Sequence, residues 1–434
     1  MFTAAAKNYQ IHKHDCCSDL YEKWPSIDVR GITLYAKTIK DVDDWRQIWD
    51  QKVEPQIGLL PLLWQFRQRT TTHPKDKIYA LLPLVNYWGK ERPMLANYEW
   101  TDSQVYRILV VIMIKVYNSL DVLMGNTTKS EELRNQLPSW VPDWMTDPYP
   151  YELERLQRSR SSRGLYKASG GRLPDERFWA EDTLQLKGVA HDVIIEFGEM
   201  MTTEDDVGAM KIFSQWEELA GVKDNSQKLY ANHEKTTVAE AYWRTLCMDT
   251  EYSPKEADDE NLPVNKHDYN RAHRGYGREY STWTNDAAPK DGDAAVGLQT
   301  AFLPSKSTTQ TFSMIVGQHG TNRTSQRPLS PKDLARGGNY AVAIDESVTS
   351  ATSHRRLFRT RKGFMGLGPE NLQINDTVYV LDGGAVPFLL RDAGDKEVHK
   401  VGSRKSYTLV GDCYVHGIMD DELKHEVREE VFLV

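Results

Sequence analysis

Val378-Tyr379-Val380-Leu381, Pro387-Phe388-Leu389-Leu390-Arg391 and Tyr407-Thr408-Leu409-Val410 are three apolar runs, each bounded by Gly or Asp turn signals. Short β-branched and aromatic runs between such breakers read as strands, and three of them inside residues 363–434 predict a small antiparallel barrel or sheet. Farther upstream, Thr183-Leu184-Gln185-Leu186-Lys187-Gly188-Val189 alternates with the period of a strand. A β-rich unit is therefore expected over 183–434. It carries a helical insertion at 205–250, and a segment at 253–356, rich in Asp, Asn, Gly, Pro, Ser and Thr with short apolar islands such as Phe312–Val316, is expected to be partly disordered.

Residues 1–150 read as mainly helical, apart from a strand-like run at Gly31–Tyr35. Val42, Trp45, Ile48 and Trp49 share one face of a helix over Asp41–Trp49. A second helix is expected over Leu59–Phe66 and a third from Asp76 to Leu82, turned by Pro83. Thr101-Asp102-Ser103 is an N-cap signal for a helix through Met124, with Val105, Ile108, Leu109, Ile112 and Val116 on its buried face and Gly125 to stop it. In Leu137-Pro138-Ser139-Trp140-Val141-Pro142-Asp143-Trp144 two prolines exclude a regular helix and fix an extended bend. The Arg-, Ser- and Gly-rich run Arg155–Gly171 reads as a mobile loop, and the junction between the two expected units falls in a flexible stretch, 151–182. The fold class is α+β.

With 434 residues, 40 % of them apolar, the chain has material for two packed cores. Its net charge of −8 argues against a nucleic-acid or anionic-membrane surface, which needs clustered Lys and Arg. The most apolar stretch, Ile108–Val116, is interrupted by Lys115 and far short of a membrane span. The amino terminus shows no secretion signal, and four cysteines, Cys16, Cys17, Cys247 and Cys413, are too few for a disulfide scaffold; a reducing cytoplasm is expected.

Motifs for chemistry are sparse. His12, His14, Asp15, Cys16 and Cys17 bring ligand types together without the two separated pairs of a zinc site, so no metal is expected. Gly363-Phe364-Met365-Gly366-Leu367-Gly368 inverts the dinucleotide fingerprint with no long helix after it and reads as a turn between strands. The sequence has no Gly-x-Ser-x-Gly elbow, His-Glu-x-x-His, Walker loop or kinase set. No cofactor is expected. Trp140 and Trp144, with Tyr149 and Tyr151, either wall an apolar pocket or pack in a core.

Seven segments in order carry a resemblance: Pro74-Lys75-Asp76-Lys77-Ile78-Tyr79-Ala80-Leu81-Leu82, Leu137–Trp144, Leu184–Gly188, Tyr242-Trp243-Arg244-Thr245-Leu246-Cys247, Arg359–Pro369, Val386–Arg391 and Tyr414-Val415-His416-Gly417-Ile418-Met419. Together they resemble the later part of the fungal heterokaryon-incompatibility (HET) family. The family's Trp-Ile-Asp-Ala-like strand and Cys-Ile-Asn-Gln-like segment, linked with cell-death signalling, have no counterpart, which implies a helical remnant of the HET domain followed by the β-rich unit, or an upstream exon outside this sequence. Pro83, Met248-Asp249-Thr250 and Asp421 depart from the family pattern and mark a divergent member.

Two functions are compatible with these residues. One is a cofactor-independent biosynthetic cyclase of fungal secondary metabolism, a pericyclase of the intramolecular Diels-Alder [4+2] type. It would fold an apolar terpenoid or polyketide between aromatic walls and polarise its carbonyl with a donor. On that reading Trp140, Trp144, Phe364 and Tyr79 contact substrate, and Arg391, His416 and Arg359, at strand ends, are the catalytic donors. Structural salt bridging is the competing role for each donor, and Asp76 reads as a helix cap or a partner of Arg67 or Arg69. The alternative is a heterokaryon incompatibility-related interaction or regulatory protein without catalysis.

Overall fold

The structure is a computed structural model that describes Ile39 and residues 56–179, 182–202, 206–225, 227–231, 236–253, 268–271 and 347–434. The expected strand at 31–35, the helix at 41–49, the His12–Cys17 cluster, most of 253–356 and its Phe312–Val316 island lie outside these residues. The described residues within 56–251, 269–271 and 347–434 make one compact unit, so the described helices between residues 59 and 117 and the strands after 183, those at Thr250–Ser253 and Asp268–Arg271 apart, belong to the same body.

The helical part opens with α1 (Leu59–Gln65), whose leucines and Trp64 are buried. The one-turn α2 (Asp76–Tyr79) is shorter than its expected span, because the chain tightens into a 3-10 turn, Leu82–Leu84, that takes Pro83 in its first turn, where no N–H is missed. In α3 (Asp102–Tyr117) Thr101 Oγ1 accepts from the Gln104 amide at 3.3 Å and Gln104 Oε1 accepts from the Thr101 amide at 3.0 Å, a reciprocal cap. This helix stops earlier than Met124. Asn118 takes the left-handed conformation at φ 49°, and a 3-10 turn, Asp121–Leu123, follows before Gly125 at φ 99°. Its buried face is also rotated: Tyr106, Val110, Met113 and Ile114 are inside with Val105 and Leu109, while Ile108 and Ile112 are half-buried.

The Arg-rich run expected to be a mobile loop begins inside a helix. α4 (Glu152–Ser159) buries Glu152, Arg155, Leu156 and Arg158, and a 3-10 turn, Ser161–Arg163, follows. The arginines are inside because carboxylates and carbonyls inside receive them, which composition alone does not reveal. After β1 (Arg177–Trp179) and β2 (Thr183–Met200) come α5 (Asp206–Ala220), α6 (Val222–Asn225) and α7 (Val238–Leu246), then the paired strands β3 (Thr250–Ser253) and β4 (Asp268–Arg271).

The remaining strands are β5 (Arg355–Thr360), β6 (Met365–Pro369), β7 (Thr377–Leu381), β8 (Phe388–Val398), β9 (Gly402–Asp412), β10 (Tyr414–Val415) and β11 (Glu429–Leu433). β2 is long enough to serve two assemblies. Its first half pairs with β11 and its middle with β7, so the path β2-β11-β9-β8-β7 returns to β2 and closes five strands into a barrel. Its last third, Ile194–Met200, pairs with β5, which continues through β6 to β10. One pairing departs from the expected antiparallel pattern: β11 runs parallel to β9, with Phe432 opposite Ser406 and Leu433 opposite Tyr407. Ile194, Phe358, Val378, Val380, Leu389, Val410 and Val415 form a shared apolar core.

Candidate functional site

The residues expected to make a substrate pocket sit in several places. Trp140 is 2 % exposed and donates its indole N–H to the Asp182 carbonyl at 3.0 Å, with Phe178 against it. Trp144 is equally buried beneath the Arg67 guanidinium, 5.4 Å from the ring centre. Tyr79 donates to the Asn97 carbonyl and meets Tyr98 edge-on, and the Tyr98 hydroxyl donates to Asp76 at 3.0 Å. Asp76 opens α2, and Arg67 turns away from it to Glu152, the Asp143 and Thr146 carbonyls and Thr146 Oγ1.

The three donors are engaged as well. Arg391 grips Asp376 with two nitrogens, at 2.8 and 2.9 Å, and reaches the Asn371 carbonyl. Arg359 pairs with Glu196 at 3.3 Å and donates to the Leu219 carbonyl. His416 Nδ1 lies 3.0 Å from the Tyr414 hydroxyl. Tyr230 brings only His416 and Phe364 together, its ring 5.5 Å from the first and 5.9 Å from the second, while its hydroxyl donates to the His416 carbonyl. Among the described residues no group of three or more His, Cys, Asp or Glu is arranged to hold a metal.

A different locus concentrates polar chemistry. A narrow cleft, with free space for about one water molecule, is lined by Gly125–Thr128, Tyr149, Arg155, His354, Arg355 and Pro369–Asn371. Glu152, fully buried, fixes the backbone of two lining residues: its carboxylate accepts from the Asn126 and Tyr149 amides, each at 2.8 Å. The Tyr149 ring stacks on His354 at 4.6 Å, and its hydroxyl donates to Glu370 at 2.6 Å. Burial, followed by that hydrogen bond, raises the Tyr149 pKa, so the phenol stays protonated. His354 stands at φ 52°, a conformation that a residue with a side chain adopts only when its surroundings force it.

Behind the cleft Asp412 accepts from Arg355 and from the Gly125 amide and lies 3.9 Å from Arg155. Burial works to raise the Asp412 pKa, yet Arg355 and Arg155 hold it below the usual carboxylate range. Burial, then the nearby Arg355, lowers Arg155 to about 10, still charged at neutral pH. Of these residues only Tyr149 reads in the sequence as part of a pocket, as an aromatic wall. The others come from separated segments that nothing local joins.

Residues 182–434 match the model of the Het-6 beta-barrel domain, the span in which β2 through β11 close the five-stranded ring. The chain belongs to that family. The Het-6 barrel supplies His354, Arg355 and Pro369–Asn371 to the cleft, and the helical part supplies the rest. Heterokaryon incompatibility protein 6, OR allele, of Neurospora crassa is 22 % identical over 385 residues, covering 84 % of this chain and 51 % of that protein. The chain thus spans about half the length of that curated relative. No solved structure matches it. Among the described residues no helix is long and apolar enough to cross a membrane.

Proposed function

We propose that this Het-6 barrel chain is a heterokaryon incompatibility-related interaction or regulatory protein without catalysis. The observation that carries this reading is the engagement of the expected donors: Arg391 is held by Asp376 and Asn371, and Arg359 by Glu196 and Leu219. A [4+2] cyclase acting on an apolar terpenoid or polyketide needs donors aimed into an apolar chamber. The cleft here is lined instead by Tyr149, Arg155, His354, Arg355 and Glu370. Similarity to a protein named for heterokaryon incompatibility supports the same reading.

The test is deletion of the gene in its source organism, with two readouts. Altered viability of fused cells in pairings between strains, with an unchanged metabolite profile, is the expected result. Accumulation of a compound that the purified chain converts to an isomer of equal mass, without added cofactor, would establish the cyclase instead.

A further inference from the structure

His191 falls at the register shift between β2 and β7, after Ala190 opposite Tyr379 and before Asp192 opposite Val378. Here β2 leaves the closed ring and, from Ile194 on, pairs with β5. An irregularity of this kind re-aims the side chain it carries. The imidazole is buried edge-on to Phe364, with 4.6 Å between ring centres, and among the described residues its Nε2 has no hydrogen-bond partner. The turn that joins β5 to β6 is tied down beside it. The Arg361 amide donates to the Val193 carbonyl at 3.0 Å, the Lys362 amide to Asp192 Oδ2 at 2.7 Å, and Lys362 Nζ to the carbonyl of His191 itself at 2.8 Å. Three charged groups act on the ring: Lys362 from the turn, Asp192 from β2 and Glu426 from the segment before β11. Burial, then Lys362, outweighs the two carboxylates and lowers the His191 pKa to about 4.

We propose that the β5–β6 turn is an acid-sensitive latch, held on β2 while His191 is neutral and lifted when the imidazole gains a proton, which uncovers Phe364. A buried Nε2 takes no proton from water while the turn is closed, so protons bind when it is open, and a second cation beside Lys362 then opposes closure. The direction follows from the closed form holding the imidazole neutral. The closed turn keeps its full stability above the ordinary histidine value of about 6.5 and loses it as pH falls toward about 4. Arg361, Lys362 and Gly363 are exposed and three hydrogen bonds tie the turn to β2, so it opens without parting the strands of the ring.

The test is hydrogen exchange of the full chain at about pH 7.5 and about pH 5, read by mass spectrometry on peptides covering the turn, with each rate divided by the intrinsic rate at that pH. Protection of the Arg361 and Lys362 amides is expected to fall about thirtyfold at the lower pH, the ratio set by values of about 6.5 open and about 4 closed. Peptides from the β8–β9 pairing should keep their protection. His191→Asn should remove the fall. Lys362→Met, at an exposed position where the backbone ties remain, should shrink it by removing the opposing cation. The readout is the ratio between the two pH values within each protein, so a variant whose turn is looser at both still reports. No fall in the parent overturns the proposal, as does a fall of the same size in either variant or one shared by β8 and β9.

Discussion

Asp412 shows how one side chain can bear on both parts of the molecule. It sits at the end of β9, 2 % exposed, and its oxygens receive Arg355 from β5 and the amide of Gly125 from the helical part. Removing a buried carboxylate from its guanidinium partners typically costs about 3 kcal/mol or more, since the cations left behind are neither paired nor solvated. Asp412→Asn is therefore expected to lower the urea midpoint of unfolding at neutral pH. The pH dependence follows from the depressed folded pKa: the contribution is fully present above the unfolded value of about 3.9 and disappears as pH falls through the lower folded value. Midpoints measured from about pH 6 down to about pH 2 should thus converge for the two proteins only at the acid end. Why such a residue escaped sequence reading, while Arg391 attracted it, has a physical cause. A strand-end arginine looks available until the acid fifteen residues away is placed, and the Arg391–Asp376 pair forms only when β7 and β8 align. Conversely, Arg155 reads as solvated because it lies in a polar run, and only the three-dimensional arrangement supplies its neighbours.

Elements were most legible where local chemistry decides them. Thr101-Asp102-Ser103 marks the start of α3 without help from the rest of the fold, and the runs around Val378, Leu389 and Leu409 became β7, β8 and β9. Ends were less legible. Asn118 terminates α3 although Leu120, Val122, Leu123 and Met124 still lie before Gly125, because a single left-handed residue suffices and a 3-10 turn can bury Val122 and Leu123 afterwards. The arginines of α4 misled for the opposite reason, their partners being distant in sequence. Since the α3 cap is local and exposed, its contribution should be separable from tertiary packing. Thr101→Ala is expected to cost about 1 kcal/mol, read as a lower melting temperature with unchanged helix content at low temperature, whereas Thr101→Asp should retain most of the stability. Equal melting of all three proteins would mean that packing of Tyr106, Leu109 and Met113 alone holds the helix start.

At the scale of the whole unit, closure of the ring depends on a strand that the turn pattern does not announce. Hairpins such as β7-β8 and β8-β9 are implied by runs separated by breakers, but β11 enters between β2 and β9, antiparallel to one and parallel to the other. A parallel pairing needs a long crossover, here through β10 and residues 416–428, so no nearest-neighbour reading finds it. The same strand fastens the helical part: Val434, next after β11, accepts from the Ser139 amide at 3.0 Å while its own amide donates to the Tyr407 carbonyl. Val431, Phe432 and Leu433 are nearly inaccessible. At about 1.5–3 kcal/mol for each fully buried side chain, their burial is comparable with the ~5–15 kcal/mol net stability of a typical domain. Deleting residues 429–434 is accordingly expected to abolish cooperative thermal unfolding rather than merely lower its midpoint, since it opens the ring and exposes two strand edges at once. Glu430→Gln, on the exposed face of β11, should melt like the parent. A truncated chain that still unfolds in one sharp transition would show that β2, β7, β8 and β9 hold together as an open sheet, and that β11 seals the barrel without being needed to form it.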